Sequence, residues 1–123
     1  MSKQVPEIEQ VLTNYLAAWN ASEPEERLSL LSQILTPNCL YADSHLPSLI
    51  ETREQHSHFI DQFRSKFPDL KISLVSPADI HHSFFRFRWQ IAKENGDIFT
   101  QGVFFGETNQ NQEITKLVGF VDQ

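Results

Sequence analysis

The longest run of strand-forming residues extends from Ile80 to Ile91, IHHSFFRFRWQI. The odd positions are His81, Ser83, Phe85, Phe87, Trp89 and Ile91, and the even ones Ile80, His82, Phe84, Arg86, Arg88 and Gln90. Successive strand side chains face opposite ways, so one face is largely apolar and aromatic while the other carries two arginines and a glutamine. The stretch is expected to be a central strand with one buried face. A longer period governs the first third of the chain, where Ile8, Val11, Leu12, Tyr15, Leu16 and Trp19 recur at intervals of three and four. That is the stripe of an amphipathic helix, with Pro6 in its first turn and its end near Asn20.

Ser22 with Glu25 has the form of a capping box for a second helix, buried through Leu28, Leu31, Ile34 and Leu35 and stopped by Thr36-Pro37. Cys39 to Asp43 reads as a short strand with Cys39, Tyr41 and Asp43 on one face. A loop from Ser44 to Glu51 follows. Thr52 with Gln55 then offers a second capping box, opening a third helix whose stripe is His56, Phe59, Ile60, Phe63 and Phe67. Beyond Phe67-Pro68-Asp69 the chain alternates like sheet: Leu70, Ile72 and Leu74 mark one strand, and Ile80 to Ile91, Ile98 to Thr108 and Glu113 to Asp122 are the others. Turns fall at Glu94 to Asp97 and at Asn109 to Gln112. Three helices followed by a mostly antiparallel sheet is an α+β pattern in which helices cover one sheet face.

Length and charge narrow the classes. The 123 residues suit one domain, spanning 1–123, that folds without disulfides or structural metal. A lone cysteine, Cys39, fits a reducing compartment, and neither a basic apolar leader nor a run of roughly 20 apolar residues is present, so a cytoplasmic protein without a membrane partner is expected. A net charge of -6 without a lysine or arginine cluster argues against nucleic acid. Ten phenylalanines and two tryptophans point to an aromatic interior, serving as core, as pocket lining, or as both.

Several pieces, in this order and spacing, resemble the nuclear transport factor 2-like superfamily, and in wording its SnoaL-like and ketosteroid isomerase-like branches. They are Tyr15 to Asn20, Tyr41-Ala42-Asp43, Thr52-Arg53-Glu54-Gln55, Phe67-Pro68, Asp79-Ile80-His81-His82, Arg86-Phe87-Arg88-Trp89, and Val118-Gly119-Phe120-Val121-Asp122. The resemblance implies a cone-shaped, cystatin-like α+β fold in which a curved sheet wraps a long N-terminal helix. It also implies a conical pocket approached by Tyr15, Trp19, Asp43, Phe59, Phe63, Phe87, Trp89 and Phe104. In ketosteroid isomerase-like enzymes an aspartate moves a proton alpha to a carbonyl, while a tyrosine and a protonated aspartate hold the enolate oxygen. By motif, Asp43 falls at the base and Tyr15 at the oxyanion-binding tyrosine. The protonated aspartate's position reads Phe104, the supporting tyrosine of helix three reads Ile60, and an acidic position of epoxide hydrolase-like members reads Gly119.

Each candidate also has a plainer role. Asp43 either faces a pocket or caps the following loop through Ser44, and Tyr15 is either a site residue or a core tyrosine. Trp19, Phe59, Phe63, Phe87, Trp89 and Phe104 serve the core whether or not they line a pocket. No metal or other cofactor is expected: His81 and His82 on a strand would face opposite ways, and His56 and His58 are poorly spaced on a helix. Arg86 and Arg88 would share the outer sheet face with Phe84 and Phe120, a mixture typical of protein contacts, and superfamily members often pair through that face, so a homodimer is expected. Two functions follow. One is a SnoaL-like protein binding a small hydrophobic carbonyl compound, with isomerase- or cyclase-type proton transfer at Asp43 assisted by Tyr15; the other is a non-enzymatic carrier or dimeric interaction module whose pocket Phe104 has closed.

Overall fold

The computed structural model describes residues 7–122, so the place expected for Pro6 lies outside the described residues. Three helices, α1 (Ile8–Asn20), α2 (Pro24–Ile34) and α3 (Arg53–Lys66), pack on a six-stranded sheet. Its strands are β1 (Leu35–Ala42), β2 (Leu70–Leu74), β3 (Asp79–His81), β4 (Phe84–Lys93), β5 (Ile98–Thr108) and β6 (Ile114–Val121). Their order is β1-β6-β5-β4-β2, with β3 also on β4; β1 runs parallel to β6 and every other pair is antiparallel. The sheet curls strongly around the helices, giving the cone-shaped α+β fold expected.

The stripes land where their periods place them. Val11, Leu12, Tyr15 and Trp19 are buried along α1, and Phe85, Phe87, Trp89 and Ile91 along the inner face of β4. Thr52 caps α3, its hydroxyl accepting from the Gln55 N–H at 3.1 Å while the Gln55 amide oxygen accepts from the Glu51 N–H at 3.1 Å. The turn at Glu94 to Asp97 depends on Gly96, whose φ of 97° is costly for any residue with a Cβ.

Several expectations are corrected. Ile80 to Ile91 is not one strand: His81 pairs with Phe84, and His82-Ser83 closes a two-residue hairpin between β3 and β4. His82 has a φ of 55°, inside the left-handed region that interrupts a strand. For the same reason the two imidazoles do not point apart; His81 Nδ1 and His82 Nδ1 lie 2.9 Å from each other on the surface. Ser22 does not cap α2, which starts at Pro24 behind Glu23 without a side-chain cap. Its buried face includes Arg27 where Leu28 was expected. Thr36-Pro37 does not separate α2 from the next strand either: β1 begins at Leu35, and Pro37 is tolerated there because β1 is an edge strand with irregular pairing between Leu35 and Leu40.

Two polar side chains lock the layers. Asn20, at the end of α1, pairs with Ile72 of β2 like a strand residue, its amide nitrogen donating to the carbonyl at 2.8 Å and its oxygen accepting from the N–H at 2.9 Å. Arg27 is fully buried; it donates to the carbonyl oxygens of Ala18 and Ala21 and pairs with Asp61 of α3. The bond to Ala21 serves a carbonyl just past the end of α1, and the bond to Ala18 adds to the Ala21 N–H that the Ala18 carbonyl already accepts at 3.4 Å.

Candidate functional site

A cavity of about 390 Å³ lies between the inner sheet face and the helices α1 and α3. Trp19 comes from α1, Tyr41 and Asp43 from the end of β1, Phe59 and Phe63 from α3, Trp89 from β4, Phe104 from β5 and Gly119 from β6. The exposed members of its wall, His45, Gln62, Lys66 and Phe99, mark the open side. Two glycines leave room for the side chains of the wall. A Cβ on Gly119 would stand 2.9 Å from the Phe104 ring and 3.3 Å from the Asp43 Cβ, and one on Gly102 would strike the Trp89 indole at 2.3 Å.

Asp43 is the polar centre of the wall, with 8% of its side chain exposed. The Tyr41 hydroxyl donates to its Oδ2 at 2.7 Å and the His45 N–H donates to its Oδ1 at 2.7 Å. One carboxylate therefore closes the loop and faces the cavity, so the two readings of Asp43 are compatible. Tyr41 and Asp43 meet because residues two apart on a strand share a face.

Tyr15 lies behind the wall. It is fully buried, with its hydroxyl 2.9 Å from His56 Nε2 and its ring edge-on to Phe104 at 5.7 Å. Phe87 is also outside the wall, packed on Phe104 at 5.5 Å. Thus Asp43, Trp19, Phe59, Phe63, Trp89 and Phe104 come together around the cavity, and Tyr15 and Phe87 support them from behind.

His56 and Tyr41 are the residues that sequence reasoning did not single out as site residues. Their rings lie 4.3 Å apart and tilted by 34°, which links the Tyr15–His56 pair to the Tyr41–Asp43 pair. Burial lowers the His56 pKa to about 3, so the imidazole is neutral at ordinary pH. Burial also raises the Tyr15 and Tyr41 hydroxyls well above the usual phenol range, keeping both as proton donors, and pushes the Cys39 thiol up to about 12. His56 Nδ1 and the indole nitrogens of Trp19 and Trp89 are buried without a hydrogen-bond partner. Among the described residues, no group of three or more His, Cys, Asp or Glu side chains is arranged to hold a metal ion, and no helix is long and apolar enough to cross a membrane.

No sequence-family model matches the chain, and neither does any curated protein. Solved structures do. A candidate isomerase of the SnoaL-like family from Agrobacterium tumefaciens str. C58 is 31% identical over 93% of this chain and 96% of its own, with a TM-score of 0.84. An NTF2-like protein of unknown function from Cytophaga hutchinsonii is 14% identical, covering 99% of this chain and 95% of its own at a TM-score of 0.71. A candidate SnoaL-like polyketide cyclase from Jannaschia sp. CCS1 is 13% identical, covering 98% and 92% at 0.73. The last two are likenesses of fold.

Proposed function

The chain belongs to the SnoaL-like family, and we propose that its cavity binds a small hydrophobic carbonyl compound on which Asp43 moves a proton at the carbon beside the carbonyl. The observation that carries this reading is a nearly buried carboxylate, oriented by two hydrogen bonds, in an otherwise largely aromatic wall. A cavity of about 390 Å³ is within the range that encloses ring-bearing ligands. The candidate isomerase of the same family, 31% identical, supports a reaction of isomerase type.

The residues assign the steps as follows. Asp43 takes the proton from carbon, becoming a neutral acid while the substrate becomes an enolate. Charge has then left the group that Tyr41 was serving. The Tyr41 hydroxyl, held beside Asp43 and kept protonated by burial, turns its hydrogen bond to the enolate oxygen, supplying the donor that Phe104 cannot. Asp43 returns the proton to another carbon of the enolate, completing an isomerisation. Tyr15 acts through His56, whose ring positions Tyr41.

The test is deuterium exchange in heavy water, read by NMR, on planar hydrophobic ketones, phenols and lactones chosen by thermal shift. Exchange beside the carbonyl should vanish in Asp43→Asn while the fold and ligand binding persist. Exchange at the wild-type rate in that variant would remove Asp43 from the mechanism. The carrier reading draws on one observation, that Phe104 fills the position of the family's second acid; it expects ligand binding with no exchange in either protein. The outer sheet face, with Phe105 and Phe120 exposed beside Arg86 and Arg88, supports pairing of two copies.

A further inference from the structure

Among the described residues, Asp43 is the one acidic side chain in the cavity wall, and eight aromatic residues surround the same space. A carboxylate removed from water normally stands beside a cation. Among the described residues no lysine or arginine pairs with Asp43; the nearest basic group is His45, whose exposed ring places Nδ1 3.9 Å from Oδ1. Aromatic faces attract positive charge as well, and the wall already shows it, since the Lys66 ammonium lies 5.6 Å from the centre of the Phe67 ring at the open side. The carboxylate and the ring faces thus favour the same sign of charge. Inorganic cations are too strongly hydrated for so apolar a space, whereas an alkylated ammonium carries its charge on a surface of methyl groups.

We propose that the cavity binds tertiary and quaternary ammonium compounds, with the cationic head against Asp43 and its alkyl groups among Trp19, Trp89 and Phe104. This rests on the reading of the cavity as a ligand site and not on proton transfer. A cation seated on Asp43 occupies the lone pairs that abstraction from carbon requires, so such compounds compete with a carbonyl substrate.

Choline and its neutral carbon isostere 3,3-dimethylbutan-1-ol differ in the charge of one central atom, which isolates the term in question. Both tryptophans of the chain line the cavity, so intrinsic fluorescence reports its occupation directly. Choline should bind at least about ten-fold more tightly than the alcohol. In Asp43→Asn that preference should shrink to about two-fold or less, with the alcohol's affinity kept as the control for an intact cavity. Equal affinities in the wild-type protein, or a preference that survives Asp43→Asn, would overturn the assignment. Silence of the emission toward both probes at saturating concentration would overturn it too. Where choline fails, a hydrophobic ketone titrated in parallel separates the two ideas: if the ketone binds, the cavity stands as a ligand site and only the cation fails, and if it does not, both fail.

Discussion

Tyr41 and Asp43 meet because a strand repeats every two residues, and their hydrogen bond ties a phenol to a carboxylate out of most of the solvent. Hydrogen bonds to charged groups contribute roughly 1.5–3 kcal/mol, so Tyr41→Phe should lower unfolding free energy by about 2 kcal/mol in urea melts at neutral pH. An unchanged urea midpoint would mean that water replaces the phenol at no cost. Deuterium exchange should fall in the same variant by roughly 10²-fold, the usual effect of losing one oxyanion donor. His56 carries a prediction with a definite sign. Its folded pKa of about 3 lies below the unfolded value of 6.5, so its contribution is whole above pH 6.5 and is lost as pH falls toward 3. Between pH 7 and 5 that loss amounts to about 2 kcal/mol. In His56→Gln, which keeps an acceptor for Tyr15, the drop in unfolding free energy over this interval should be smaller by about that amount. Equal drops would show that His56 binds protons alike in the folded and unfolded chain.

At the scale of elements, Arg27 fastens α2 to the end of α1 and to α3. Arg27→Met keeps the length of the side chain and removes every donor, leaving the Ala21 carbonyl unserved and the Ala18 carbonyl with only the Ala21 N–H. Breaking a fully buried pair costs roughly 3–5 kcal/mol, but Asp61 keeps 27% of its side chain in water, so about 2–3 kcal/mol is expected. Chemical denaturation measures it, and Arg27→Lys should recover only part because one ammonium cannot reach three acceptors. The elements legible in the sequence are those with a sustained period: α1, α3 and the inner face of β4, where Phe85, Phe87, Trp89 and Ile91 are all buried. Arg27 escaped notice because nothing local distinguishes a buried arginine from a solvated one; its burial depends on three elements converging. The break at His82-Ser83 was hidden because strand-forming residues stand on both sides of it, while the left-handed φ of His82 is set by the pairing of β3 with β4. In the site, the shared face of Tyr41 and Asp43 follows from spacing. The contact of Tyr41 with His56 does not, since it is fixed by how α3 is rotated against β1.

For the whole molecule the inner and outer faces of the sheet have opposite characters. The inner face is filled by helices and cavity, whereas the outer face leaves Phe120 58% exposed and Phe105 39% exposed, with Val103 paired between Phe120 and Arg88. Exposed rings on a regular sheet face are costly in a monomer and enriched in interfaces. Charge on this face is of both signs: Arg86 pairs with Asp79 at 3.0 Å, and Arg88 pairs with Asp122. A surface carrying rings and both charges can complement a rotated copy of itself, which is what a two-fold interface requires. The proposed homodimer should therefore sediment as a dimer at micromolar concentration. Phe120→Asp, which places two carboxylates near the symmetry axis without touching the cavity, should convert it to a monomer with the same ligand affinity. A wild-type protein that sediments as a monomer would leave the outer face without the partner proposed for it. A Phe120→Asp dimer would move the contact to another surface.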